Sequence, residues 1–118
     1  ITEMARLGVA LGGRPETFTG LSGIGDLIVT CISQHSRNRR AGLLIGGGLS
    51  PEEAIQQVGA VVEGYYAAAT GMELAERMGI EMPITQAIYS VMYEDACVYS
   101  VSEGMMGRAK THEANANW

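Results

Sequence analysis

Only one run in the sequence, Leu27-Ile28-Val29-Thr30-Cys31-Ile32, is rich enough in β-branched residues to suggest a strand. No second run of this kind exists to pair with it, and a lone strand leaves its backbone amides and carbonyls without ladder partners. A sheet is therefore excluded, and the run reads as a helix. The other apolar residues recur at helical spacing between glycine and proline punctuation. Ile1, Met4, Leu7, Gly8 and Leu11 mark a first helix that stops at Gly12-Gly13. Arg14-Pro15-Glu16-Thr17 reads as a turn or short helical entry, and Gly20, Gly23 and Gly25 interrupt the chain before Leu27.

Ser36 is placed to cap a short helix from Arg37 to Ile45, ended by Gly46-Gly47-Gly48. Ser50-Pro51-Glu52-Glu53 is a clearer start: Ser50 caps, Pro51 sacrifices no useful N–H at the first position, and Glu53 completes a capping box. That helix runs to about Val58 and stops at Gly59. Tyr65, Ala68, Ala69, Met72 and Ala75 mark one face of a long helix from about Val61 to Met78. After Pro83, Ile84, Ala87, Ile88, Val91 and Met92 fall at i, i+3, i+4, i+7 and i+8, and a last short helix fits between Val98 and Gly107. The expectation is an all-α, compact multi-helix domain over residues 1–110, with roughly seven helical segments packed around Leu, Ile, Met and Tyr. Residues 111–118 have no periodicity and read as a flexible tail.

A length of 118 residues suits one domain. The charge balance, 8 basic against 13 acidic residues for a net −5, excludes a protein that coats nucleic acid or an anionic membrane through overall charge. No apolar stretch approaches the roughly 20 residues that span a bilayer, and Ile1-Thr2-Glu3-Met4 lacks the pattern of a signal peptide, so a cytoplasmic setting is expected. Cys31 and Cys97 lie too far apart for a zinc motif and are too few for a disulfide framework. Both are expected to be reduced, with Cys31 a small core residue and no metal bound. The chain opens without Met inside an apolar-periodic stretch, as a piece of a longer protein would.

The strongest chemical signal is a segregation of charge. Arg37, Arg39 and Arg40 fall within four positions, and no acidic residue occurs between Asp26 and Glu52. If Ser36 caps the helix, the first-turn amides and the dipole favour an anion, Arg37 presents a planar fork to phosphate oxygens, and Asn38 can bond a neighbouring hydroxyl. A small phosphorylated ligand fits this chemistry; the alternative is a solvated arginine-rich turn. Asp26, between Gly25 and an apolar helix, reads either as an N-cap or as a carboxylate that accepts ligand hydroxyls. Glu63 stands in the first turn of the long helix, where the dipole stabilises it without any function. His35 reads as an ordinary loop residue.

Gly20-Leu21-Ser22-Gly23-Ile24-Gly25-Asp26-Leu27, Thr30-Cys31, Ser36-Arg37-Asn38-Arg39-Arg40, Val61-Val62-Glu63-Gly64 and Glu81-Met82-Pro83-Ile84-Thr85 together resemble the C-terminal domain of bacterial NAD(P)-dependent glycerol-3-phosphate dehydrogenase, from Ile1 to about Lys110. The resemblance implies the helical fold of 6-phosphogluconate dehydrogenase-like C-terminal domains, preceded in the parent chain by an N-terminal Rossmann domain. It assigns Asp26, Ser36, Arg37 and Asn38 to substrate, and Arg37, Val61 and Glu63 to the NAD or NADP side. The implied substrates are dihydroxyacetone phosphate and sn-glycerol 3-phosphate, the latter used for phospholipid backbones. The family's catalytic lysine lies upstream, and Lys110, the single lysine here, does not match it. No catalytic residue is assigned to this chain beyond a supporting role for Asp26, and the chain alone is expected to be inactive. The competing expectation is a non-catalytic helical module that binds a phosphometabolite or an acidic partner through Arg37, Arg39 and Arg40, or one that forms a homodimer through Ile84 to Met92.

Overall fold

The computed structural model describes residues 1–108, so Lys110 and the tail expected at 111–118 lie outside the described residues. Among the described residues eight α-helices follow one another: α1 (Thr2–Ala10), α2 (Pro15–Thr19), α3 (Asp26–Ile32), α4 (Arg37–Gly46), α5 (Pro51–Val58), α6 (Glu63–Met78), α7 (Pro83–Tyr93) and α8 (Val98–Met106). No strand occurs among the described residues. The periodicity located each helix to within two residues or so. The capping box forms as expected, with Ser50 Oγ accepting from the Glu53 amide at 3.2 Å and Glu53 Oε2 accepting from the Ser50 amide at 2.9 Å. Those bonds hold the Glu53 carboxyl below its ordinary pKa, because the Ser50 amide binds the ionised form.

The glycine-rich stretch before α3 is not an interruption. Leu21–Gly25 forms a π-helical turn that continues directly into α3. Gly23 is buried at its centre, and a Cβ there would stand 2.1 Å from the Phe18 carbonyl oxygen, so only glycine allows the turn to close against α2. The wide turn shifts the register of the following helix, which sets which face of α3 reaches the site described below.

The helices pack in the pairs α1 with α2, α4 with α5, α6 with α7 and α7 with α8, with α1 and α4 both resting on α6. The core at these crossings differs from the expected Leu, Ile, Met and Tyr. Its buried residues are Ala5, Ala41, Ile45, Ala54, Val58, Val62, Ala68, Ala75 and Met82. Alanine dominates because short side chains let helix axes approach closely at a crossing. Tyr65, Tyr89 and Tyr93 sit instead at the surface of the α6–α7 contact, where the Tyr93 ring lies 4.5 Å from Tyr65 and 5.0 Å from Tyr89, and Tyr93 Oη donates to the Tyr65 carbonyl at 2.7 Å.

Glu3 of α1 supplies a cap that local sequence does not reveal. Its carboxylate accepts from the amides of Ile84 and Thr85 and from the Thr85 hydroxyl, the last two at 3.0 Å, at the N-terminus of α7. Pro83 gives α7 no amide at its first position, so Glu3 satisfies the next two donors across the fold. Arg6, one turn along α1, donates to the Glu81 carbonyl just before α7.

Two apolar surfaces stay open. On α3, which packs mainly on the π turn, Val29 and Ile32 are 67% and 72% exposed, and Leu21 in the π turn is 90% exposed. Cys31 is exposed on the same helix, which corrects its expected place in the core; α3 buries no residue. The Ile84 to Met92 stripe is also uncovered. It lines an apolar groove of about 270 Å³ with Gly42, Ile45 and Gly46 of α4 and Val98, Val101 and Met105 of α8.

Candidate functional site

The elements α3, α4 and α6 meet at a concavity of about 360 Å³. Its lining brings together Val29, Thr30 and Ser33 from α3 and the residue after it, His35 and Ser36 from the following loop, Arg37 and Asn38 from α4, and Val61 and Glu63 at the start of α6. Five of the six residues singled out in the sequence, Ser36, Arg37, Asn38, Val61 and Glu63, therefore share one depression although they lie in two separate segments. The sixth, Asp26, is exposed and outside that lining. It stands at i relative to Val29, Thr30 and Ser33 at i+3, i+4 and i+7, so it continues the same helix face one turn earlier. It is not an N-cap: Gly25 holds that position in helical conformation, and no side-chain cap bond forms.

The tip of α4 is built as the sequence suggests. Ser36 Oγ accepts from the Arg39 amide at 3.3 Å and the Ser36 carbonyl accepts from the Arg40 amide at 3.0 Å. The amides of Arg37 and Asn38 take no acceptor among the described residues, which leaves two donors at the positive end of the helix dipole. The two ion pairs among the described residues join Arg14 to Glu16 and Arg77 to Glu73, so the Arg37 guanidinium stands exposed without a carboxylate partner. Arg39 and Arg40 do not line the depression. Of the basic cluster, Arg37 alone faces the site.

Glu63, also in the lining, opens α6. The next residue, Gly64, donates its amide to Asn38 Oδ1 at 2.9 Å, a bond that spans 26 positions of sequence and ties the first turns of α4 and α6 together. At the loop, Ser33 Oγ accepts from the His35 amide at 3.2 Å and fixes the path into Ser36. The depression thus combines the cation and free amides of the α4 tip with the Glu63 carboxylate and apolar flanks in Val29 and Val61. Val29, Thr30, Ser33 and His35 were not assigned from the sequence. The first three follow from Asp26 once helical spacing is applied to α3.

Residues 1–103 match the family described as the NAD-dependent glycerol-3-phosphate dehydrogenase C-terminus. The chain belongs to this family. Among curated relatives, a glycerol-3-phosphate dehydrogenase [NAD(P)+] of Moorella thermoacetica is 55% identical over 116 residues, covering 98% of this chain and 35% of its own length. The enzyme of the same name from Shouchella clausii is 49% identical over 116 residues, again covering 98% of this chain and 34% of the relative. The crystal structure of the Coxiella burnetii glycerol-3-phosphate dehydrogenase superposes with a TM-score of 0.87 at 41% identity, over 91% of this chain and 33% of that one. The chain spans about a third of the length of the relatives it matches. The all-helical fold agrees with that structural likeness.

Proposed function

We propose that this chain is the substrate-binding domain of a longer NAD(P)-dependent glycerol-3-phosphate dehydrogenase, which reduces dihydroxyacetone phosphate to sn-glycerol 3-phosphate. The observation that carries this reading is the convergence of Ser36, an unpaired Arg37 and Asn38 with Val61 and Glu63 in one depression. A phosphate dianion seats at the α4 end, where the Arg37 fork and two amides without acceptors offer charge-assisted bonds. The Arg37 charge and these amides orient the three-carbon substrate with its phosphate toward the α4 tip. Asp26 extends the polar face toward the substrate hydroxyls.

The exposed Val29 and Val61 flanks and the Glu63 carboxylate, which accepts no hydrogen bond among the described residues, fit one edge of a nicotinamide dinucleotide. The described residues hold no strand-to-helix turn for its pyrophosphate, so most of the cofactor falls to the preceding two thirds of the parent enzyme. When bound, NAD(P)H supplies the hydride that reduces the substrate carbonyl. The uncovered face of α3, next to the depression, is suited to pack against that N-terminal part. Residues of this chain then hold the substrate, and the proton donor, a lysine by family resemblance, comes from outside it. In this reading the enzyme works in the cytoplasm and supplies glycerol phosphate for phospholipid backbones. No described helix is long and apolar enough to cross a membrane.

In the full-length enzyme carrying this chain, Arg37→Ala is expected to lower kcat/KM for dihydroxyacetone phosphate by about 100-fold, the scale of a lost charge-assisted bidentate contact. Arg37→Lys should recover only part of it, because charge remains but the fork does not. Unchanged steady-state constants for Arg37→Ala would reject the assignment. The open groove along α7 favours a second reading, a self-associating helical module, and sedimentation of the chain as a monomer over a wide concentration range would argue against it.

A further inference from the structure

We infer that Asn38 and Gly64 are a positioning pair: the Asn38 carboxamide acts through the Gly64 amide to hold Arg37 and the first turn of α4 in register with α6, and Gly64 lacks a side chain because a Cβ would crowd this contact. The inference rests on the depression being the substrate site. Resemblance assigns Asn38 to the substrate, yet its Oδ1 is already engaged at 2.9 Å by the Gly64 N–H. That bond fixes which end of the amide is which, since an N–H donor must face the oxygen, and leaves Nδ2 as the group available to a ligand.

Gly64 is the second residue of α6, and it is not among the glycines with positive φ, so backbone freedom does not explain it. Glycine is a poor helix residue compared with alanine. Space does explain it. A Cβ at position 64 would stand 3.1 Å from Asn38 Oδ1, 3.2 Å from its Cγ and 3.6 Å from Nδ2, so the carboxamide would have to give by a few tenths of an ångström, enough to stretch its bond to the amide. The other side of this turn is anchored as well: the Tyr65 carbonyl accepts from Tyr93 Oη at 2.7 Å, so the start of α6 is held from α7. Asn38 thereby references the α4 tip to a fixed point. Arg37 precedes it by one residue, and the two amides without acceptors belong to Arg37 and Asn38 themselves, so a slip of this contact moves every phosphate donor at once.

The test is a double-mutant cycle in the full-length enzyme, with dihydroxyacetone phosphate varied at saturating NADH. Asn38→Ala and Gly64→Ala are each expected to raise KM about tenfold with kcat changed less than about threefold, and the double variant to match either single one. Multiplied effects, near 100-fold in the double variant, or a silent Gly64→Ala overturn the pair. Arg37→Ala separates this from the underlying reading. If it leaves KM unchanged, the substrate site itself is wrong; if it raises KM while the other two fail to couple, only the pair is wrong. A second readout needs no turnover: with glycine-selective ¹⁵N labelling, Gly64 amide exchange should speed up about tenfold in Asn38→Ala and stay near the parent rate in Asn38→Asp, which keeps an acceptor. Equal exchange in the parent and Asn38→Ala overturns the proposal.

Discussion

The two walls of the depression are made in different ways. On one side, α4, α5 and the entry to α6 close around Ala41, Val58 and Val62, with Leu44 and Ile55 packed against them, and the starts of α4 and α5 are each capped by a serine. On the other, the π turn and α3 bury little besides Gly23 and present Val29 and Ile32 to the outside. The first wall carries its own packing energy and holds the groups proposed above to grip an anion. The second is shaped by a steric constraint at one glycine and keeps its apolar residues for a neighbour. The division suits the proposed site shared between two parts of a longer protein: the α4 tip is preformed, and the α3 wall is left open for what packs on it.

The most damaging change predicted for stability is Gly23→Ala. A methyl group 2.1 Å from the Phe18 carbonyl oxygen cannot be accommodated without opening the π turn, and about 3 kcal/mol should be lost in urea unfolding. A much smaller loss would show that the second wall yields, and the contrast would weaken. Val58→Ala on the first wall should cost about 2 kcal/mol through the cavity left beside Ala41 and Val62. Ser50→Ala removes the α5 cap for about 1 kcal/mol. Its partner Glu53 adds a pH dependence whose sign follows from the lowered carboxyl pKa: the contribution is full above the ordinary value of 4.5 and is lost as pH falls through the lower folded value. Thermal melts across that range should lose this slope in Glu53→Gln. The smallest effect is expected for Ile32→Ala, within about 0.5 kcal/mol in the 118-residue chain because the side chain is already in water. In the full-length protein the same change should cost clearly more if α3 is covered there, and an equal, small effect in both would break the comparison.

Helix positions were legible because their signals are local. Ser50 with Glu53, Ser36 before Arg37, and the stripe after Pro83 each declare a boundary within a few residues. The clustering of Ser36, Arg37 and Asn38 was legible for the same reason, since they are consecutive. Pairings over long sequence distances were not. Nothing near Asn38 announces that its carboxamide reaches Gly64, and nothing near Glu3 announces that it caps α7, 81 positions away. The core was misjudged because helical stripes show which face is apolar and not whether anything covers it. Ile84 and Ile88 lie on the cleanest stripe in the chain and remain about half exposed, whereas Ala41 and Ala75, which carry little hydrophobic signal, are buried at crossings. The π turn was hidden because its glycines mimic a loop.

The bridge from Glu3 and Arg6 to the entry of α7 has a practical side. α1 is a clasp on a helix that lies far downstream in sequence, so a truncated version starting at Pro15 would discard the acceptor for two α7 amides along with nine residues of helix. Such a trimmed product should fray first at Ile84 and Thr85, and any recombinant boundary or domain swap drawn through this region keeps its integrity only by travelling with α1.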